Sequence, residues 1–151
     1  MLRFNPTYTS TTDKHGVGNV YWGPDGKAYK WVQCVDLAAV ANNYALPANT
    51  TGTAGTIDVS GGSAIGTKPF GVWLTAVAVS SYGFIQVAGV VDVYSDGSVA
   101  AGESVVAHAT VNGQVDTMAA GSEHLVIGKA LADDATNGTI VVAPVLLQGL
   151  I

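Results

Sequence analysis

From residue 66 to residue 94 the chain reads GTKPFGVWLTAVAVSSYGFIQVAGVVDVY, and the rest is organised around this stretch. Two runs rich in β-branched and aromatic residues, 71–79 and 82–94, flank Ser80-Ser81. Such side chains suit a pleated, half-buried surface. Gly71, Gly83 and Gly89 would each weaken a helix. The pattern predicts a central hairpin or pair of strands. Upstream, Gly23-Pro24-Asp25-Gly26 is a turn, because Pro24 presets φ and Asp25-Gly26 tolerates the rest. Strands are predicted on either side, at 20–22 and 28–35. Alternation puts Ala28, Lys30, Val32 and Cys34 on one face, with Tyr29, Trp31, Gln33 and Val35 on the other. Lys30 among apolar neighbours implies that neither face is purely core.

Residues 36–46, DLAAVANNYAL, are the best short-helix candidate. Asp36 would cap it, Leu37, Val40 and Ala41 would share a face, and Pro47 forbids continuation. A strand over the same residues is the alternative. A Thr/Gly loop at 48–56, a short strand at 56–59 and a Gly61-Gly62 turn follow. Beyond the central pair, turns fall at 95–98, 100–103 and 121–123. Strands are expected at 104–111 and 114–118 around Asn112-Gly113, the strongest hairpin signal in the chain. Residues 124–132 read as a strand or mixed element, and 139–147 as a long closing strand. Closely spaced turn signals of this kind mark a sandwich or barrel, not βαβ units. Residues 1–18 are polar, Thr-rich and broken by Pro6, Gly16 and Gly18. The expected fold is therefore all-β: a small antiparallel β-barrel or sandwich over 19–151, an extended N-terminal arm over 1–18, and at most one short helix.

Composition narrows this picture. A chain of 151 residues makes one domain and can bury roughly two-thirds of its unfolded surface. Only 11% of residues are charged, so much of the exterior is neutral, and neighbouring subunits are one means of covering it. The net charge of −5 is uneven: residues 1–31 carry +2 and the remainder −7. An acidic body argues against nucleic acid as a partner. No run approaches the ~20 apolar residues of a membrane helix, and the N-terminus lacks a signal-peptide pattern, so no membrane association is expected. The apolar tail VLLQGLI, with Leu147, Leu150 and Ile151, either folds back or is covered by a neighbouring subunit.

Candidate chemistry is sparse. Cys34 is the only cysteine and sits in an apolar run, as a small buried hydrophobe does. His15, His108 and His124 show no metal-ligand spacing. His108 and His124 meeting across strands, with Asp92 or Asp116 as third ligand, is a remote arrangement. Trp22, Tyr29, Trp31, Trp73 and Tyr82 suggest either a sugar-stacking platform or, with more weight, core and interface packing. No cofactor and no enzymatic activity are expected. Phe4, Tyr8, Arg3 and Lys14 on the arm are candidates for docking on another surface.

Four segments together resemble bacteriophage head decoration (capsid cement) proteins. They are Gly83-Phe84-Ile85-Gln86-Val87-Ala88-Gly89, Ala101-Gly102-Glu103, Ile127-Gly128-Lys129-Ala130 and the closing run 141–147. The resemblance covers about residues 65–148 and is one of strand and turn chemistry. It implies a non-enzymatic virion protein, made in the host cytoplasm, that binds the exterior of an icosahedral capsid. Its partners would be the major capsid protein and itself, as a homotrimer at three-fold or quasi-three-fold sites. Arg3, Phe4, Tyr8 and Lys14 would then meet the capsid, and Leu147, Leu150 and Ile151 a neighbouring subunit. Other virion components, such as a tail or fibre-base β domain, and a carbohydrate-binding β-sandwich are the competing readings.

Overall fold

The computed structural model describes residues 4–60, 62–64, 68–134 and 138–144. Among them are β1 (Thr9–Ser10), β2 (Val20–Trp22), β3 (Ala28–Cys34), β4 (Tyr44–Pro47), β5 (Ala54–Thr56) and β6 (Gly71–Trp73). There follow β7 (Tyr82–Ala88), β8 (Val91–Tyr94), β9 (Ser104–Ala107), β10 (Val115–Thr117), β11 (Gly128–Ala130) and β12 (Thr139–Pro144). The protein is all-β, as its sequence predicts. A short 3-10 turn at Glu123–Leu125 is the one helical element among the described residues.

The predicted turn after β2 forms as expected. Gly23 N–H donates to Lys27 O at 2.8 Å, Gly26 takes a φ of +75°, and Asp25 Oδ1 accepts Lys27 N–H at 3.1 Å. β3 then pairs antiparallel with β7, from Ala28↔Ala88 to Gln33↔Tyr82. The order β3–β7–β6–β4–β5 returns to β3 and closes a five-stranded barrel, with β5 parallel to β3 and every other pairing antiparallel. β2 and β1 lie outside the ring, on β3 and β7. The second sheet, β10–β9–β11–β12–β8, is wholly antiparallel. A parallel bridge between Ser95 and Val115 draws its two edges together.

One hydrophobic core runs through both units. Val32, Tyr44, Leu46, Trp73, Ile85 and Val87 from the first join Val93, Val105, Val115, Ile127 and Val142 from the second. Side chains of ~1.5–3 kcal/mol burial value each make this shared core the main cohesive term. Loop residues fasten the seam. Tyr44 N–H donates to Gly113 O at 3.1 Å, Tyr94 N–H to Asn42 O at 3.0 Å, and Val59 N–H to Asn112 Oδ1 at 2.9 Å.

Four expectations are corrected. Residues 36–46 are not helical: Asp36 and Asn42 have φ of +64° and +69°, and the Asp36 carboxylate accepts Ser63 N–H at 2.7 Å instead of capping a helix. Leu37 and Val40, the supposed buried face, are exposed, while Ala39 bridges to Val77. The strand alternative is realised only at its end, in β4. The central hairpin exists as β6–β7, but its connection is residues 74–81, not Ser80-Ser81, because the bridge at Val77 diverts the chain. The run 82–94 also divides. Gly89 turns at a φ of +89°, and buried Gln86 Nε2 donates to the carbonyls of Ala88, Gly89 and Val90 at 3.1, 3.1 and 3.0 Å. That amide pins the crossing from the first barrel to the second sheet. The strand expected at 56–59 lies at β5. Arg3, Leu147, Leu150 and Ile151 lie outside the described residues.

Asn112-Gly113 does mark a hairpin, β9–β10, with a longer loop than two residues. Gly113 has a φ of +77°, and a Cβ there would fall 2.5 Å from Asn43 Nδ2. Gly113→Ala is expected to cost about 1–3 kcal/mol of unfolding free energy, through backbone strain and displacement of Asn43 at the seam. Denaturant unfolding measures this, and an unchanged midpoint would contradict the seam's geometry.

Candidate functional site

The outer face of β3 and β7 carries Tyr29, Trp31 and Phe84, all buried. Alternation sends them away from the barrel interior, so something must cover them. The arm does so. Phe4 lies 5.7, 5.2 and 5.1 Å from the rings of Tyr21, Tyr29 and Phe84. Tyr8 stacks on Trp31 at 6.0 Å, and His15 meets Trp31 edge-on at 4.7 Å. Asp13 Oδ1 accepts the Trp31 indole N–H at 2.9 Å and Gly16 N–H at 2.8 Å. The cost of desolvating Asp13 is outweighed by donors from Val17, Trp31 and Gly16, which hold its carboxyl below the usual range. Phe4 and Tyr8 are thus seated on the chain's own barrel, and the arm is part of the folded body. Lys14 is exposed.

The sugar-stacking set is not assembled. Tyr29, Trp31 and Trp73 are buried and Tyr82 stacks on Trp31 at 6.2 Å, so Trp22, 67% exposed, stands without them. Trp73 Nε1 is buried without a hydrogen-bond partner. Cys34 is buried, its thiol donating to Leu37 O at 3.2 Å, and burial raises its pKa. An open groove of about 600 Å³ between β1 and the loops around Val40 and Val77 carries no titratable side chain in its lining.

Titratable groups converge at the second sheet, where Asp96, His108 and Asp116 approach within 4.8 Å. His124 and Asp92 are not in this set. His108 Nε2 lies 4.0 Å from Asp96 Oδ2. Ser98 Oγ lies 2.7 Å from Asp96 Oδ1 and 3.2 Å from Asp116 Oδ1, and its single hydrogen serves one carboxylate at a time. Burial raises the Asp96 pKa, but the Ser98 hydroxyl and N–H donors outweigh it, and the net shift is downward. His108 Nδ1 accepts Thr110 N–H at 3.1 Å and Val111 N–H at 3.0 Å. Nδ1 therefore bears no proton, and Nε2 bears the ring's hydrogen. A metal on Nε2 would need that proton moved to Nδ1, against two N–H donors, whereas ligating histidines ordinarily donate from their second nitrogen. The trio reads as a latch between two loops and strand β10. Residue order paired His108 with His124, offered Asp116 only as an alternative to Asp92, and missed Asp96, whose only signal was its place in the turn SDGS.

The chain matches no protein-family model and no curated protein.

Two outcomes are expected here. Zinc should raise the melting temperature of the wild-type protein no more than that of His108→Gln, and a selective rise in the wild type would overturn the latch reading. Burial pushes the Tyr44 phenol up to about 12, and burial together with the Asp25 carboxylate raises Tyr29 further. Both raise the folded-state pKa, so their stabilisation is complete below pH ~10, the ordinary tyrosine value, and is lost as pH rises toward the folded value. In an ultraviolet titration these two phenols should ionise only as the protein unfolds. Early, reversible ionisation of both would contradict their burial.

Proposed function

We propose that this chain is a structural virion protein, a decoration protein that binds the outer surface of an icosahedral phage capsid as a homotrimer. The observation that carries the reading is the exterior. Trp22, Leu131, Val40 and Val79 are 67, 54, 49 and 45% exposed on a body with few charges. Side chains of this kind anchor interfaces when covered, and the aromatic ones contribute most. The segments that carry the resemblance fall on structurally meaningful places. Residues 83–89 form most of β7 and its exit turn, 101–103 the turn into β9, and 128–130 the strand β11. The likeness therefore follows the framework of strands and turns.

The arm's part in binding changes under this reading. Phe4 and Tyr8 hold the barrel, which leaves Lys14, among the described arm residues named for docking, to face an acidic shell. Many identical copies, each weakly held, would stabilise the shell through multivalency.

Light scattering should give three times the 15.3 kDa chain mass. Cosedimentation with undecorated capsids should saturate near the copy number of three-fold sites. A monomer with no affinity for any shell would reject the proposal, and a few copies per particle would favour a tail component. Trp22→Ala should leave the fold intact and weaken either self-association or shell binding by about tenfold or more.

A further inference from the structure

His108 is joined to the backbone in a way that its neutral form alone permits. It opens the connection from β9 to β10, where its N–H donates to Gln114 O at 2.9 Å. Ring Nδ1 then accepts two backbone N–H groups of the same turn, Thr110 at 3.1 Å and Val111 at 3.0 Å. This is the part an Asn or Asp side-chain oxygen plays in an Asx turn, taken here by an imidazole nitrogen. An amide oxygen remains an acceptor at every pH. Nδ1 ceases to be one on protonation, and a ring N–H would then face two N–H donors.

The turn that His108 closes also fastens the second sheet to the barrel. Asn112 Oδ1 accepts Val59 N–H at 2.9 Å, and Gly113 O accepts Tyr44 N–H at 3.1 Å. Val111 O accepts the Tyr44 hydroxyl at 3.4 Å. The ring has other partners within reach. Among the described residues, Asp96 from the turn after β8 and Asp116 from β10 are the acids gathered on it, and Nε2 lies 4.0 Å from Asp96 Oδ2. Burial of Asp96 is outweighed by the Ser98 donors, which hold its carboxyl below the usual range, so it stays an anion in mild acid. Across the seam, the charge of Asp58 bears on Tyr44. The His108 and Asp96 side chains are 19 and 24% exposed, so protons from solvent reach the pair.

We propose that His108 is a proton-operated switch on the seam between the two sheets. Neutral, it closes the turn over Thr110 and Val111. Protonated, it leaves that turn, donates to Asp96 and Asp116, and loosens the loop that joins the second sheet to the barrel. One ring thus exchanges two backbone donors for two carboxylate acceptors. The closed turn excludes a proton from Nδ1 and the open turn admits one, so falling pH shifts the balance towards the open form. The shared hydrophobic core stays buried in both. The switch rests on the fold and stands independently of the virion reading.

Amide hydrogen exchange, corrected for its intrinsic pH dependence, is compared at about pH 7.5 and about pH 5, the range across which imidazoles titrate. In the wild-type protein, protection of the Thr110, Val111 and Tyr44 amides should fall about tenfold or more in acid, while β3 and β7 keep theirs. His108→Asn sets a non-titrating oxygen where Nδ1 stands, so its protection at these three amides should hold steady. Wild-type amides that keep their protection, or an Asn variant that loses it equally, would overturn the switch. Should His108→Asn fail to fold, nitrogen NMR of the wild-type ring decides. Nδ1 should gain its proton at the pH midpoint where the three amides lose protection, and separate midpoints would overturn the proposal.

Discussion

The pairing of β3 with β7 is the constraint on which the remaining structure depends. It is a two-sided ladder. One face supplies Val32, Ile85 and Val87 to the common core, and the other supplies Trp31 and Phe84 to the aromatic layer. A ladder buried on both faces cannot shift register by one residue, because the shift would exchange the two sets of side chains. The barrel closes only because this register is held, and the parallel strand β5 then completes the ring beside Gln33 and Cys34. The cost is a need for cover on the outside. The arm meets it with Phe4, Tyr8 and His15, and the Asp13–Trp31 hydrogen bond fixes where it lies.

From that ladder the chain passes into the second sheet through one turn, held by Gln86. A single buried amide spread over three carbonyls is a compact means of joining two sheets without a linker. Together with the Asn42–Tyr44 and Asn112-Gly113 contacts, it makes the two units pack as one body. Under the proposed assembly, it is the weakly charged exterior of this body that copies would cover.

Much of this was legible in residue order, for physical reasons that can be named. The β2–β3 hairpin was clear because Pro24 and Gly26 satisfy a specific turn, and the β9–β10 hairpin because Gly113 supplies a positive φ. The supposed helix at 36–46 misled because its spacing of apolar residues mimics helical period. Asp36 and Asn42 instead take left-handed conformations, supported by Ser63 and by the seam, which are partners remote in sequence. The arm's aromatics were visible, but not their destination, because only the folded register shows that Trp31 and Phe84 share an uncovered face. Lys30 was noticed as out of pattern, and its neighbours Phe70 and Gly52 became visible only in three dimensions. The Asp96–His108–Asp116 latch joins two loops to strand β10, and no local spacing encodes it.

Amide hydrogen exchange tests the central claim most directly. Strands covered on both faces open only with global unfolding, while singly covered edges open locally. The backbone amides of β3 and β7 should therefore exchange slowest in the molecule, at a common rate set by global stability. If those amides exchanged as fast as the ones in β10 and β11, the two-sided ladder would not be what holds this protein together.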